Sequence, residues 1–185
     1  MYKNNTIKTT FMAFLIVINI VGSFIAVVLK LPIFIDTIGT LLAAFLFGPV
    51  SGILTGVSTS LINGLTFDPY SLYFMPVQIV VGFISGLCYK KGLFKGKRIV
   101  FGIVIITICG SFMAAIISAY VFGGITSSGT SFIIMYLKQS GINIIASIFS
   151  TQILFDLLNN IVTVFMALTL IKYMTRNIKI KLRFW

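Results

Sequence analysis

Apolar residues fill most of this chain, and the polar ones fall at its punctuation. Six apolar runs stand out, at about 10–29, 34–47, 50–65, 72–89, 99–122 and 143–171. Each reads as a helix, and the pattern predicts an all-α integral membrane protein with six transmembrane helices in a single domain, 1–185. A five-span alternative joins 31–65 into one helix. That helix would run about 52 Å against a hydrocarbon core of about 30 Å. Gly48-Pro49 supplies a stop and a new helix start inside it, so two short helices meeting at a tight turn are expected.

Composition supports the bilayer. Of 185 residues, 58% are hydrophobic and 9% charged, with mean hydropathy +1.11. The first run is long enough to span and is expected to stay as a span, not to be cleaved as a leader. Cys88 and Cys109 both sit in apolar runs and read as buried thiols. The chain has no histidine and no glutamate, which removes histidine-based metal sites, Ser–His and Cys–His nucleophile pairs and HExxH. No P-loop pattern is present either. No catalytic residue, metal site or cofactor is expected, and an enzyme is disfavoured.

The net charge of +11 changes the picture only through its placement. Lys3 and Lys8 precede the first run. Lys90, Lys91, Lys95, Lys97 and Arg98 share one loop, and Lys172, Arg176, Lys179, Lys181 and Arg183 follow the last run. With six spans these segments share one side and only Lys30 and Lys138 fall on the other. That distribution predicts both termini in the cytoplasm of a multi-pass plasma-membrane protein, and not a nucleic-acid binder.

Polar groups inside the apolar runs carry the candidate chemistry. All three acidic residues, Asp36, Asp68 and Asp156, fall on the external half in this topology. An ionisable group near hydrocarbon marks a functional site by default. Gln152, Asp156, Asn159, Asn160 and Thr163 form one helical face in the last run. Thr55, Thr59 and Asn63 form a second stripe. Such stripes line a ligand cavity or glue helices together; for Asp156 with Asn160 we favour the ligand. Aromatics gather at the same end, at Phe34, Phe67, Tyr70, Tyr73 and Tyr120, most of them as an interfacial belt. Tyr73 and Gln78 are the ligand candidates there. Asn19 reads as helix glue. Gly82 with Gly86, and Gly110 with Ala114 and Ser118, read as packing faces. The loop 123–142 reads as a lid or interfacial segment.

The Leu31-Pro32 loop, the Asp36-Thr37-Ile38-Gly39-Thr40 helix start, Ala43-Ala44 before Phe47-Gly48-Pro49, and then Gly52 and Gly56 together form a motif-like stretch. Leu72-Tyr73-Phe74 running into Val80-Val81-Gly82, and the Asp156–Asn160 face, extend it. In these features the chain resembles the substrate-binding S components of energy-coupling factor (ECF) transporters. That resemblance implies a high-affinity binding subunit of an ATP-driven bacterial micronutrient importer. It implies an external cavity closed by the first, third and fifth loops. It also implies docking to a membrane-embedded T subunit that carries two ATPases. The expected binding residues are Asp156, Asn159, Asn160, Asn63, Tyr73, Gln78 and Asp36. The family docks through small residues of the first helix, for which Gly22, Ala26 and Ala13 are the candidates here. The external charge balance favours a neutral or cationic solute: a water-soluble vitamin, a vitamin precursor, or a nucleobase- or nucleoside-like compound. The main alternative is a stand-alone secondary transporter or channel with Asp156 as its ion or proton site.

Overall fold

The computed structural model describes residues 2–32 and 35–177. Phe34 of the aromatic group, and Lys179, Lys181 and Arg183 of the basic tail, lie outside the described residues. Each of the six apolar runs forms helix: α1 (Tyr2–Val28), α2 (Ile38–Phe47), α3 (Pro49–Thr66), a short α4 (Tyr70–Tyr73) with α5 (Met75–Lys90), α6 (Ile99–Phe122) and α8 (Ile144–Asn177). A further helix, α7 (Thr130–Gln139), forms within the 123–142 connection. No strand occurs among the described residues.

Three helices, α1, α6 and α8, are long and apolar enough to cross a membrane. Helix α2 has only ten residues, about 15 Å of rise. All ten are buried, because α1, α3, α5 and α8 surround it. It is a core helix with no lipid-facing side. Its end is set by Gly48 at φ 94°, which L-residues with a Cβ rarely adopt. Pro49 then starts α3 at a position where no N–H is needed.

The fourth run is not one continuous helix, as expected from its hydropathy, but breaks at Phe74 (φ −85°, ψ 2°). Pro76 is the cause: it lacks an N–H and sits in the first turn of α5, where that lack costs nothing. Helix α1 begins eight residues earlier than expected and α8 ends six later.

The two ends of the bundle differ in chemistry. At one end Lys8 lies over the Phe47 ring, and Phe45 stacks on Tyr89 at 4.6 Å and packs on Phe94 at 4.8 Å. The described members of the basic groups gather around this end. At the other end the Gly129 N–H donates to the Leu31 carbonyl at 3.3 Å, and Phe24 packs edge-on against Phe67 at 5.3 Å. Ile134 of α7 is buried against Ala115 of α6 and Ile148 of α8, so the 123–142 connection is docked onto the bundle.

Glycines let α3 and α5 touch backbone to backbone. A Cβ on Gly82 would lie 2.7 Å from the Gly52 carbonyl carbon, and one on Gly86 would lie 2.7 Å from Pro49 Cα. The expected docking pair on α1 needs correction. Gly22 and Ala26 are buried within this bundle, on the face that carries Asn19 and Ser23. They serve internal packing. Ala13 is exposed, in a stripe with Val17 and Val21.

Gly82→Ala forces backbone apart between α3 and α5, so it should lower stability by about 1–3 kcal/mol. Leu54→Ala, on the outer face of α3, should change it by less than about 0.5 kcal/mol. The fraction of monodisperse protein left after stepwise heating in detergent measures both.

Candidate functional site

The site begins with a buried helix start. The first N–H groups of an α-helix have no intrahelical acceptor. Thr37 precedes α2 but makes no side-chain cap. Asn19, from the middle of α1, does the work instead: the Gly39 N–H donates to its Oδ1 at 2.7 Å. That fixes the orientation of the amide. Asn19 Nδ2 then donates to Thr40 Oγ1 at 3.0 Å and to Thr59 Oγ1 at 3.2 Å. Each hydroxyl has to pass its own proton onward. Thr59 donates to the Thr55 carbonyl at 2.9 Å, and Thr40 donates to Gln78 Oε1 at 3.2 Å. Gln78 Nε2 is thereby turned to Asp36 Oδ2, at 3.1 Å. One directional chain of hydrogen bonds links α1, α2, α3 and α5 and ends on a carboxylate.

A second pair of contacts joins α6 to α8. Ser111 donates to Asp156 Oδ2 at 2.8 Å, and Asn160 Nδ2 donates to Thr107 Oγ1 at 3.1 Å. The two contacts are one helical turn apart on both helices, as an antiparallel pair requires. Asn159 Nδ2 approaches Thr37 Oγ1 at 3.5 Å, and Thr163 donates back to the Asn159 carbonyl at 2.8 Å.

Between these networks lies a cavity of about 100 Å³, at the end away from Lys8 and the Phe45–Tyr89–Phe94 cluster. Several water molecules fit in such a space. Its wall carries all three carboxylates of the chain, Asp36, Asp68 and Asp156. Four amides join them: Gln78, Gln152, Asn159 and Asn160. Val27, Phe74, Val77, Val81 and Ala114 supply the apolar part, and Thr126 and Ser127 reach it from the connection before α7. No lysine or arginine is among the described residues of this wall.

Of the residues expected at a binding site, Asp36, Gln78, Asp156, Asn159 and Asn160 come together here. Asn63 and Tyr73 do not. Asn63 is buried behind the wall, donating to Ser23 Oγ at 2.9 Å. Tyr73 is 55% exposed and packs edge-on against Phe122 at 5.1 Å. The next residue, Phe74, is the aromatic that reaches the cavity, because the break before α5 rotates the chain there. Sequence reasoning left Asp68 and Gln152 out of the site, although the convergence of the carboxylates and the α8 stripe had singled both out. It missed Ser111 altogether, since a lone serine in an apolar helix carries no signal. Gly110 and Ala114, read as a packing face, also border the cavity and keep it open by their small size.

The sequence profile described as "ECF transporter, substrate-specific component" matches residues 8–172. The chain belongs to this family. It is a substrate-specific subunit of an ECF transporter. No curated protein and no solved structure shows significant similarity to it. The matched region takes in both hydrogen-bond networks and every residue of the cavity wall.

Removing the Asn19 side chain leaves the buried Gly39 N–H without its acceptor and Gln78 without its orientation. Asn19→Ala should therefore cost about 1–3 kcal/mol of stability, read from the same heating series. Loss of bound solute should accompany it, although Asn19 does not line the cavity.

Proposed function

We propose that this subunit captures a small water-soluble solute from outside a bacterial cell and delivers it inward when two ATPases, held by a T subunit, are engaged. The observation that carries this reading is the cavity. It gathers three carboxylates and four amides at one end of the bundle, opposite the end where the basic residues collect. With that basic end in the cytoplasm, both termini and the 90–98 loop are inside and the cavity faces out. The solute is neutral or cationic: a vitamin, a vitamin precursor, or a nucleobase- or nucleoside-like compound whose edges the amides can hydrogen-bond. Asp156, Asn160, Asn159, Gln78 and Asp36 contact it.

Transport follows from the outer surface. Phe14, Val17, Val21 and Phe24 on α1, Phe101, Val104 and Ile108 on α6, and Leu154, Val162 and Phe165 on α8 are all exposed. A belt so apolar stays compatible with lipid as it tilts, so the whole subunit can tilt in the bilayer with its cavity intact. The α1 stripe with Ala13, Val17 and Val21 is the face offered to the T subunit.

Uptake of the cognate solute by cells should vanish when the T subunit or either ATPase is deleted. Uptake that persists would favour a stand-alone secondary transporter with Asp156 as its ion site. Val17→Trp should reduce co-purification with the T subunit at least severalfold while solute retention by the isolated subunit is unchanged. Asp156→Asn should do the reverse.

A further inference from the structure

We propose that the basic end of the bundle carries a second binding site, for an anionic phospholipid of the cytoplasmic leaflet. Its phosphate sits between Lys90 and Lys95, and its apolar part lies on Phe45, Phe94 and Leu168. The site is a cavity of about 440 Å³, separate from the solute cavity, which these five residues border together with Tyr89 and Gly92. That volume falls within the range of small-molecule sites, about 300–1,000 Å³.

The turn that ends α5 builds this cavity. The Leu93 N–H donates to the Cys88 carbonyl at 3.0 Å, and the Gly92 N–H donates to the Tyr89 carbonyl at 3.0 Å. With Gly92 at φ 71°, the pair closes the helix as a Schellman motif and folds the chain back across its end. Phe94 is buried there, so close to α6 that a Cβ on Gly102 would lie 2.7 Å from its ring. The same ring packs on Phe45 at 4.8 Å, and Phe45 stacks on Tyr89 at 4.6 Å. Three rings, from α2, α5 and the loop, thus form a fixed floor. The turn also returns Lys95 towards the end of α5. Its N–H donates to the Gly92 carbonyl at 3.3 Å, and its Cδ would lie 3.9 Å from a Cβ on Gly92. Lys90 and Lys95 then border one cavity.

Charge selects the ligand. Five of the nine residues 90–98 are basic, and all three acidic side chains of the chain border the solute cavity. None is left for this end. The C-terminus of α5 adds about half a negative charge, which two lysines outweigh. A topogenic loop needs its charges in the cytoplasm, but it needs no ring-floored cavity between two of them. The apolar wall selects a lipid over a soluble phosphate. Leu168 lies one helical turn from Phe165, which is exposed, so the wall continues onto the outer face of α8. Inorganic phosphate matches the lysines and not the rings. A neutral lipid matches the rings and not the lysines. Basic pockets between helices on the cytoplasmic side suit phospholipid head groups.

The test uses the full chain purified in mild detergent, with three probes: dioleoylphosphatidylglycerol, dioleoylphosphatidylcholine with the same chains and no net charge, and glycerol phosphate without chains. Binding is read as discrete adducts in native mass spectrometry and as thermal stabilisation across a concentration series. The anionic lipid should bind about tenfold or more tighter than the other two, the preference that two lysines at an anionic head group provide. Lys90→Gln with Lys95→Gln should reduce that preference at least fivefold. Lys97→Gln with Arg98→Gln removes the same charge from outside the cavity and should leave the preference within twofold. Melting without lipid shows whether each variant folds; if the first pair does not, Lys95→Gln alone should still lower the preference at least twofold. Equal binding of the two lipids overturns the proposal. So does stabilisation by glycerol phosphate that matches the anionic lipid, which would mark a site for a soluble phosphate. An equal loss in both double variants, which would mark diffuse attraction to the loop, overturns it as well. Solute retention is scored separately, so the lipid site can fail while the reading of the solute cavity stands.

Discussion

A single amide, Asn19, sets the geometry on which the rest of this structure depends. Helix α2 is buried along its whole length, so the donors at its N-terminus need partners within the protein. Asn19 supplies the acceptor from another helix. Once the Gly39 N–H has fixed the amide, every later proton in the chain has one allowed direction. Thr40 must donate to Gln78, and Gln78 must donate to Asp36. A backbone requirement deep in the core thus decides which atom of a cavity-wall carboxylate accepts the Gln78 hydrogen bond. Stability and recognition share the same hydrogen bonds. A neutral residue far from the solute can therefore matter as much as one touching it.

The α6–α8 side of the cavity works on the same logic with less redundancy. Ser111–Asp156 and Thr107–Asn160 zip two helices, yet Asp156 and Asn160 also form the wall. Interhelical glue and a place on the cavity wall, posed by the sequence as alternatives, thus coincide in the same side chains. In an apolar environment a polar side chain needs a partner whether or not solute is bound. A site built in a helical bundle has to hold its own polar groups together first. The contacts that remain open after that are what a solute can use.

How much of this was legible in the sequence follows from what each signal measures. Gly48-Pro49 marked a helix boundary because both residues act through local backbone geometry, and the turn lies there. The 152–163 stripe was legible because helical periodicity states which residues share a face. Periodicity does not state which neighbour that face meets. Gly22 and Ala26 were read as a docking surface, and they lie on the inward face with Asn19. Asn19 was read as helix glue, but a lone polar residue shows no pattern that names its partners, and these lie 20 to 40 positions away. Tyr73 and Phe74 were exchanged for a different reason. A hydropathy run continues through Pro76, whereas the backbone breaks one residue before α5, and that break decides which ring points inward.

The shortness of α2 is what makes room for a site. A ten-residue helix at the centre of longer ones cannot fill the bundle from end to end. Asp36 and Thr37 sit in the turn just before its first residue and border the cavity, so the cavity occupies the space beyond that helix start. The α2 N-terminus also carries the positive end of its macrodipole, which favours negative charge close by. Asp36 is the carboxylate placed to use it. Asp68 stands two residues before α4, whose four residues carry little dipole, and Asp156 is held within α8. The fold thus offsets one of three negative charges by its own dipole and leaves the other two to hydrogen bonds alone. A cavity built this way remains net acidic, and that imbalance is a property of where the helices begin, not only of which residues line the wall.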